Sequence, residues 1–366
     1  MKLKLSREAL LRPLQAVIGV VERRQTMPIL SNILLSADAE TVQLTATDLE
    51  VELVARVDAG TGEPGEITLP GRKLLDIVRA LPEEAEVSLS VEDNKAQVRA
   101  GRSRFALSTM PAAEFPNVEG GESLVEFSIA QRDLRHLIEQ TQFAMAQQDV
   151  RYYLNGLLLE FRDGVLRGVA TDGHRLSRCD VSAQLSPGEV RQVIVPRKGV
   201  LELYRLLEES DETVSVSISS NHIRVGVDEL KFTSKLVDGR FPDYERVIPR
   251  GGNNILQVDR QMLRQALGRT AILSNEKYRG VRLEMDNNRL GLQAQNPEQE
   301  RAEEDVEVEY QGERLEIGFN VSYLLDPLAA LESDSIELIL IDGNSSCVIR
   351  APGDESTEHV VMPMRL

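Results

Sequence analysis

The sequence comes closest to a catalytic cluster at Ala170-Thr-Asp-Gly-His-Arg-Leu176, where His174 is flanked by Asp172 and Arg175. An imidazole beside a carboxylate could do general acid–base chemistry. The rest of the chain argues against it. Asp172 recurs 124 residues earlier as Asp48 and 124 residues later as Asn296, while His174 has no counterpart near Asp48. An Asx residue recurring at a strand end points to a turn in which the side chain caps its own backbone. No phosphate-binding glycine loop or nucleophile elbow is present. Cys179 and Cys347 stand far apart with no Cys or His at metal-ligand spacing, so they read as buried thiols, and no metal, disulfide or cofactor is expected.

The elements around that cluster repeat in the same phase. Asn32-Ile-Leu-Leu-Ser leads to Thr45-Ala-Thr-Asp48, Asn155-Gly-Leu-Leu-Leu to Val169-Ala-Thr-Asp172, and Gly280-Val-Arg-Leu-Glu to Leu292-Gln-Ala-Gln-Asn296. A second motif begins at Ile67, Val193 and Ile317: an apolar strand, a Pro or Asn, then an amphipathic segment. Its apolar faces are Leu74, Leu75, Val78 and Leu81, then Val200, Leu201, Tyr204 and Leu207, then Leu324, Leu325, Leu328 and Leu331. Each copy opens with another amphipathic helix, on Leu10, Leu14, Val17, Ile18 and Val21; on Leu134, Leu137, Ile138 and Thr141; and on Leu263, Ala266, Leu267 and Thr270. Alternating runs such as Val87–Val91, Val214–Ile218 and Ile336–Ile341 supply strands. The chain is therefore read as three α+β domains, 1–122, 123–249 and 250–366, each with two helices packed on antiparallel sheets. Phe115-Pro and Phe241-Pro close the first two copies, and Asn117–Glu122 and Ile248–Asn254 read as linkers. Pro13 and Pro327 fall inside helical patterns, each seven residues after a cap at Ser6 or Asn320, and predict kinks.

Composition is that of an ordinary globular chain: 366 residues, 42% apolar and 28% charged. No run reaches the roughly 18 apolar residues of a membrane span and no leader pattern opens the chain, so a cytoplasmic protein is expected. The formal charge of −17 argues against a simple nucleic-acid binder. The six helical segments, 6–24, 71–81, 131–148, 197–209, 259–279 and 320–332, nevertheless hold 17 basic and 12 acidic residues, leaving −22 elsewhere. That distribution suits a polyanion such as duplex DNA, and equally suits ordinary solvated helix faces. The ends of the repeat differ in sign. Arg102 and Arg104, with Phe105 and Leu107, stand late in the first copy; Glu298, Glu300, Glu303 and Glu304 stand in the third. Opposite ends of opposite charge suit head-to-tail closure of two copies, or are strand edges protected by charge. A scaffold that binds only proteins remains a further alternative.

On these residues, together with Gln147-Gln-Asp-Val-Arg-Tyr-Tyr153, Asp238-Gly-Arg-Phe-Pro-Asp-Tyr244 and Val360-Val-Met-Pro-Met-Arg-Leu366, the whole chain resembles the β sliding clamp of bacterial DNA polymerase III. The resemblance implies a non-catalytic processivity factor, a head-to-tail homodimeric ring of clamp domains threaded on duplex DNA without sequence preference. Its implied partners are the polymerase III catalytic subunit, a clamp loader, and other polymerases and repair proteins carrying clamp-binding peptides. It places a peptide pocket at Leu154, Thr171, Gly173, His174, Arg175, Leu176, Pro242, Arg246, Val247, Ser346, Val360, Met362, Pro363, Met364 and Arg365. Flexible thioethers flanking Pro363 suit a surface that accepts varied peptides; the residues alone also fit a last strand packed on its own sheet. Asn344 is more polar than such a pocket predicts. For DNA the resemblance points to Arg24, Arg72, Gln148, Tyr152, Tyr153, Arg197, Lys198, Asn320 and Tyr323, types that contact phosphate without reading bases. To the dimer interface it adds Lys73, Ile272, Leu273 and Glu298.

Overall fold

A computed structural model describes residues 1–21, 27–58, 62–92, 95–118, 121–162, 164–184 and 191–365. The first copy runs β1 (Lys2–Ser6), α1 (Arg7–Val17), β2 (Asn32–Ala37), β3 (Thr41–Thr47), β4 (Val51–Asp58), β5 (Gly65–Pro70), α2 (Gly71–Ala80), β6 (Glu86–Glu92), β7 (Lys95–Ala100) and β8 (Ser103–Ser108). The second runs β9 (Val125–Ala130), α3 (Gln131–Thr141), β10 (Gly156–Arg162), β11 (Val165–Thr171), β12 (Arg175–Ser182), β13 (Arg191–Pro196), α4 (Arg197–Leu206), β14 (Thr213–Ile218), β15 (His222–Val227) and β16 (Leu230–Lys235). The third runs β17 (Asn254–Asp259), α5 (Arg260–Thr270), β18 (Gly280–Asp286), β19 (Arg289–Gln295), β20 (Arg301–Glu307), a short β21 (Glu309–Tyr310), β22 (Leu315–Asn320), α6 (Val321–Ala330), β23 (Ser335–Leu340), β24 (Cys347–Arg350) and β25 (Thr357–Val361). Each copy thus opens on a strand, not on a helix as its apolar spacing predicted. The signal was present in the alternation Lys2-Leu-Lys-Leu, whose leucines are buried and lysines exposed.

The chain separates into two compact units. Met1–Arg132 with Lys198–Leu236 forms the first, and contains the sheets β1-β6-β7-β8 and β5-β2-β3-β4-β16-β15-β14-β9. Asp133–Arg197 with Val237–Leu366 forms the second, and contains β13-β10-β11-β12-β25-β24-β23-β17-β21 and β20-β19-β18-β22. Every pairing is antiparallel. In both units a strand of one copy is joined to a strand of the next: β4 to β16, with Leu53 opposite Phe232, and β12 to β25, with Leu176 opposite Val360.

The helices are shorter than expected. The segment 131–148 is helical only to Thr141 and 259–279 only to Thr270, each followed by a single 3-10 turn, at Gln142–Ala144 and Ala271–Leu273. Both threonines turn their hydroxyls back onto the helix, Thr141 to the Leu137 carbonyl at 2.7 Å and Thr270 to that of Ala266 at 2.9 Å. That competes with continued helix. The 6–24 helix ends at Val17. Over the observed helices the count is 13 basic and 6 acidic residues, so the helices carry +7 and the remainder −24. The expected caps are present: Ser6 Oγ accepts from the Ala9 N–H at 3.2 Å and Asn320 Oδ1 from that of Ser322 at 2.9 Å. Pro13 and Pro327 lie inside α1 and α6 and are buried with the apolar faces. Of the face expected for α4, Val200 and Leu207 are buried and Tyr204 half-buried, whereas Leu201 is 41% exposed and Leu203 and Leu206 are buried beside them. Phe115 and Phe241, read as closing the first two copies, are also core anchors. Phe115 packs on Ile29 and Leu30, while Phe241 and Ile248, the first residue of the 248–254 segment, enter the apolar cluster around Leu154, Leu176 and Val360. Cys179 and Cys347 are fully buried free thiols, pushed up to about 12 by burial.

Candidate functional site

The turn carrying His174 is a backbone device. Asp172 Oδ1 accepts from the N–H groups of His174 at 2.9 Å and Arg175 at 3.1 Å. Asp48 Oδ1 accepts from Glu50 at 2.9 Å and Val51 at 2.7 Å, and Asn296 Oδ1 from Glu300 at 2.9 Å. Asp48 and Asp172 close the strand end with the same turn, on the second and third N–H groups that follow, and Asn296 closes the third copy's on the fourth. Gly173 sits at φ +88°, where a Cβ would also meet the Arg151 guanidinium at 3.0 Å. Arg175 is fully engaged. Its Nε donates to Asp172 Oδ2 at 3.2 Å and its Nη2 to the Phe143 carbonyl at 2.5 Å, its Nη1 pairs with Asp326, and its guanidinium lies 4.6 Å from the Tyr323 ring centre. His174 is exposed and stacks on Tyr323, centroids 6.2 Å apart. Asp172 is committed to two N–H groups and an arginine, so it does not orient the His174 imidazole as an acid–base pair would require. Among the described residues no group of three His, Cys, Asp or Glu is placed to hold a metal.

The fifteen expected pocket residues all belong to the second compact unit. Leu154, Leu176 and Val360 share one apolar cluster with Leu158, Val169, Ile194, Phe241, Tyr244, Ile248 and Val348, and Tyr153 packs against it. The tail is a strand: Val360 lies between Leu176 of β12 and Val348 of β24. Beyond it, the Met362 N–H donates to the His174 carbonyl at 3.0 Å and the Met364 N–H to that of Gly318 at 2.8 Å. The reading of the tail as a last strand packed on its own sheet describes residues up to Val361. After them the tail presents the half-buried Met362, Pro363 and Met364. Thr171 is buried and donates to the Arg175 carbonyl at 2.6 Å. Pro242, Arg246 and the 39%-exposed Val247 stand outside the cluster on the segment anchored by Phe241 and Tyr244, with Arg246 paired to Asp243 at 2.6 Å. Ser346 is half-buried and Asn344 exposed, in the loop before β24.

Sequence reasoning passed over Arg151. It pairs with Asp149 at 2.8 Å and donates to the Asp172 carbonyl at 3.2 Å, and it holds the Asp149 carboxyl down at about 2. Its place in the stretch Gln147–Tyr153 was the available signal. Phe241 was missed as a wall residue although its Phe-Pro repeats that of Phe115.

The residues expected to contact DNA are mostly occupied. Arg24 lies outside the described residues. Arg72 donates to the Val21 carbonyl at 2.6 Å, and Arg197 to that of Met145 at 3.2 Å, with its guanidinium pulled down first by burial and then by Arg175. Lys198 pairs with the buried Asp48, Asn320 caps α6, and Tyr323 faces Arg175. Gln148, at φ +55°, and Tyr152 are exposed, while Tyr153 is half-buried. Helix cations that the sequence reading did not single out, Arg12, Arg79 and Arg264, are exposed and make no ion pair among the described residues.

The third set lies on two open edges. β8 and β20 each border a four-stranded sheet. By phase of the repeat, β8 corresponds to β16 and β25, and β20 to β4 and β12, the strands that join copies within each unit. Phe105 is half-buried and Leu107 buried; Arg102, Arg104 and Lys73 are exposed. Ile272 is 76% exposed and Leu273 half-buried in the turn after α5, beside β20. The acidic side is partly engaged: Glu304 with Arg269, Glu303 with Arg301, and Glu300 with Asn296 Nδ2 at 2.6 Å, while Glu298 is exposed.

Comparison with known proteins points to one family. Models of the N-terminal, central and C-terminal domains of the DNA polymerase III beta subunit match residues 1–119, 128–243 and 245–365. The chain is 58% identical to the beta sliding clamp of Pseudomonas aeruginosa and 52% to that of Escherichia coli, covering all of both chains in each case. The crystal structure of the Pseudomonas aeruginosa DNA polymerase III subunit beta superposes with a TM-score of 0.97 at 58% identity, and the Caulobacter crescentus clamp with 0.94 at 42%, each over the full length of both chains. The Pseudomonas aeruginosa clamp has also been seen bound to griselimycin. Three clamp domains over nearly the whole sequence and full-length relatives at 58% and 52% identity place this chain in the DNA polymerase III beta subunit family, the beta sliding clamps.

Proposed function

We propose that two copies of this chain close head to tail, β8 of one pairing with β20 of the other, into a ring that encircles duplex DNA and tethers the replicative polymerase in the cytoplasm. As a beta sliding clamp, the chain is a processivity factor and not an enzyme. One observation carries the closure: the repeat joins its copies at β4·β16 and β12·β25, and among the described residues the strands of those two kinds left open are β8 and β20. An open edge offers unpaired N–H and C=O groups, so leaving these two unpaired in the working molecule would cost what the internal joints gain. Phe105, Leu107, Ile272 and Leu273 then form the apolar centre. Arg102, Arg104 and Lys73 oppose Glu298, Glu300, Glu303 and Glu304, which fixes direction more than strength.

Duplex DNA is held by helix charge without base readout. The exposed side chains of Arg12, Arg79, Arg264, Gln148 and Tyr152 make the contacts together with Arg24, and Arg72, Arg197, Lys198, Tyr153, Asn320 and Tyr323 either join them or hold the helices that carry them. Partner peptides, from the polymerase III catalytic subunit, the clamp loader, and other polymerases and repair proteins, seat on the Leu154, Leu176 and Val360 cluster beside Met362 and Met364. Griselimycin, carried over from the Pseudomonas aeruginosa clamp, competes for that site. Analytical sedimentation tests the closure: a concentration-stable dimer is expected, and a monomer across the micromolar range contradicts it.

A further inference from the structure

A second hollow adjoins the tail. It has a volume of about 600 Å³ and is walled by β18, β19, the start of β20, the loop before β18, and Met364 and Arg365. Strand register explains the wall: Arg282 of β18 lies opposite Gln293, and Gln295 opposite Arg301 of β20, so two arginines and two amides line neighbouring strands. The tail closes one side because the Met364 N–H is pinned to Gly318 of β22. Tyr278, 56% exposed, stands at the wall with Lys277 over its ring at 5.2 Å.

The chain carries −17 overall, yet among the described residues the lining of this hollow includes three arginines and no carboxylate side chain. Glu316 holds Arg282 at 2.7 Å and Glu303 holds Arg301, both from outside the lining. A guanidinium has five N–H donors, so one carboxylate orients each arginine and leaves donors over. Arg365 is exposed and makes no ion pair among the described residues.

We infer that this hollow receives an acidic segment of the partner chain, flanking the apolar residues that fill the tail pocket. The inference rests on the peptide-pocket reading above and extends it through Met364 and Arg365, which border both places. A volume of about 600 Å³ suits a few residues of peptide and is too small for a duplex. Amides that satisfy a peptide backbone, an exposed phenol, and a thioether match peptide better than a phosphate chain does.

The test uses the full-length dimer and two labelled probes: a leucine- and phenylalanine-rich pentapeptide, and the same peptide extended by glutamates at either end. At low salt the better extension tightens binding about tenfold, and the gain fades as salt rises. Arg282→Gln with Arg301→Gln removes the gain while the unextended peptide binds as before; Arg282→Lys with Arg301→Lys restores part of it. Sedimentation and thermal unfolding confirm that each variant is a folded dimer. The inference is overturned if neither extension tightens binding, if the gain survives in the Gln variant, or if an oligothymidylate displaces the glutamates more readily than free glutamate peptide does. Failure of the unextended peptide to bind at all removes the pocket reading itself, and this inference with it.

Discussion

His359 sits on β25 where that strand joins β12, fully buried, with Nδ1 3.0 Å from Ser177 Oγ. Burial, then the charge of His136, pulls its imidazolium down to about 3. An unfolded histidine takes its proton near pH 6.5, so between those values the unfolded chain binds the proton and the folded one does not. The contribution of His359 is therefore complete above about pH 6.5 and is lost as pH falls, by up to about 1.4 kcal/mol per pH unit. Urea unfolding of the protein at pH 7 and pH 5 reads this directly, and His359→Gln flattens the difference; equal slopes in both proteins refute the assignment. Two strands' worth of the same joint depend on Arg178, which faces Glu358 across β12 and β25 at 3.4 Å with both side chains buried. Arg178→Met leaves that carboxylate only the more distant Arg350, at 3.9 Å, and costs about 3 kcal/mol, whereas Arg178→Met with Glu358→Leu recovers most of it. Denaturant midpoints of the two variants decide it. At this scale the sequence was partly legible. Asp48, Asp172 and Asn296 announced their turns by recurring in phase, because a local Asx cap needs nothing beyond the next few residues. Arg197 and Arg175 did not announce theirs, because Met145 and Asp326, which they hold, are distant in sequence.

At the scale of elements, apolar spacing located all six helices because each has one face to bury, but not where they stop. Hydroxyl back-bonding by Thr141 and Thr270, and the 3-10 turns after them, leave the hydrophobic period almost unchanged. The joints β4·β16 and β12·β25 were invisible, since pairing between copies follows from edge geometry and not from any local pattern. The open edges make a sharp prediction. Ile272 is 76% exposed in the single chain, so Ile272→Asp leaves the subunit fold intact by circular dichroism. It buries a charge in the apolar centre of the proposed interface and weakens dimerisation at least about 100-fold by sedimentation. An unchanged dimer sinks the β8·β20 pairing. The tail predicts the opposite split. Deleting Met362 to Leu366 removes the thioethers but stops after Val361, the last residue of β25, so polymerase stimulation is abolished while the dimer persists. A variant that still stimulates the polymerase refutes the pocket.

At the scale of the molecule, a net −17 conceals helices at +7 and a remainder at −24, and the observed helix ends sharpen that contrast over the one read from sequence alone. Such a distribution attracts a polyanion to the helices and repels it elsewhere, and it fixes no register along the DNA. Much of the expected phosphate-contact set is spent on carbonyls, caps and Asp48, so weak, replaceable contacts are what remain. That is compatible with sliding and not with tight site binding. The central claim is topological, and one measurement tests it: load the protein onto nicked circular DNA with its loader, then cut the circle and follow the bound protein by gel filtration. The account predicts retention on the closed circle and release from the free ends of the linear product. Protein that stays on the linear DNA, or leaves circle and line at the same rate, contradicts it.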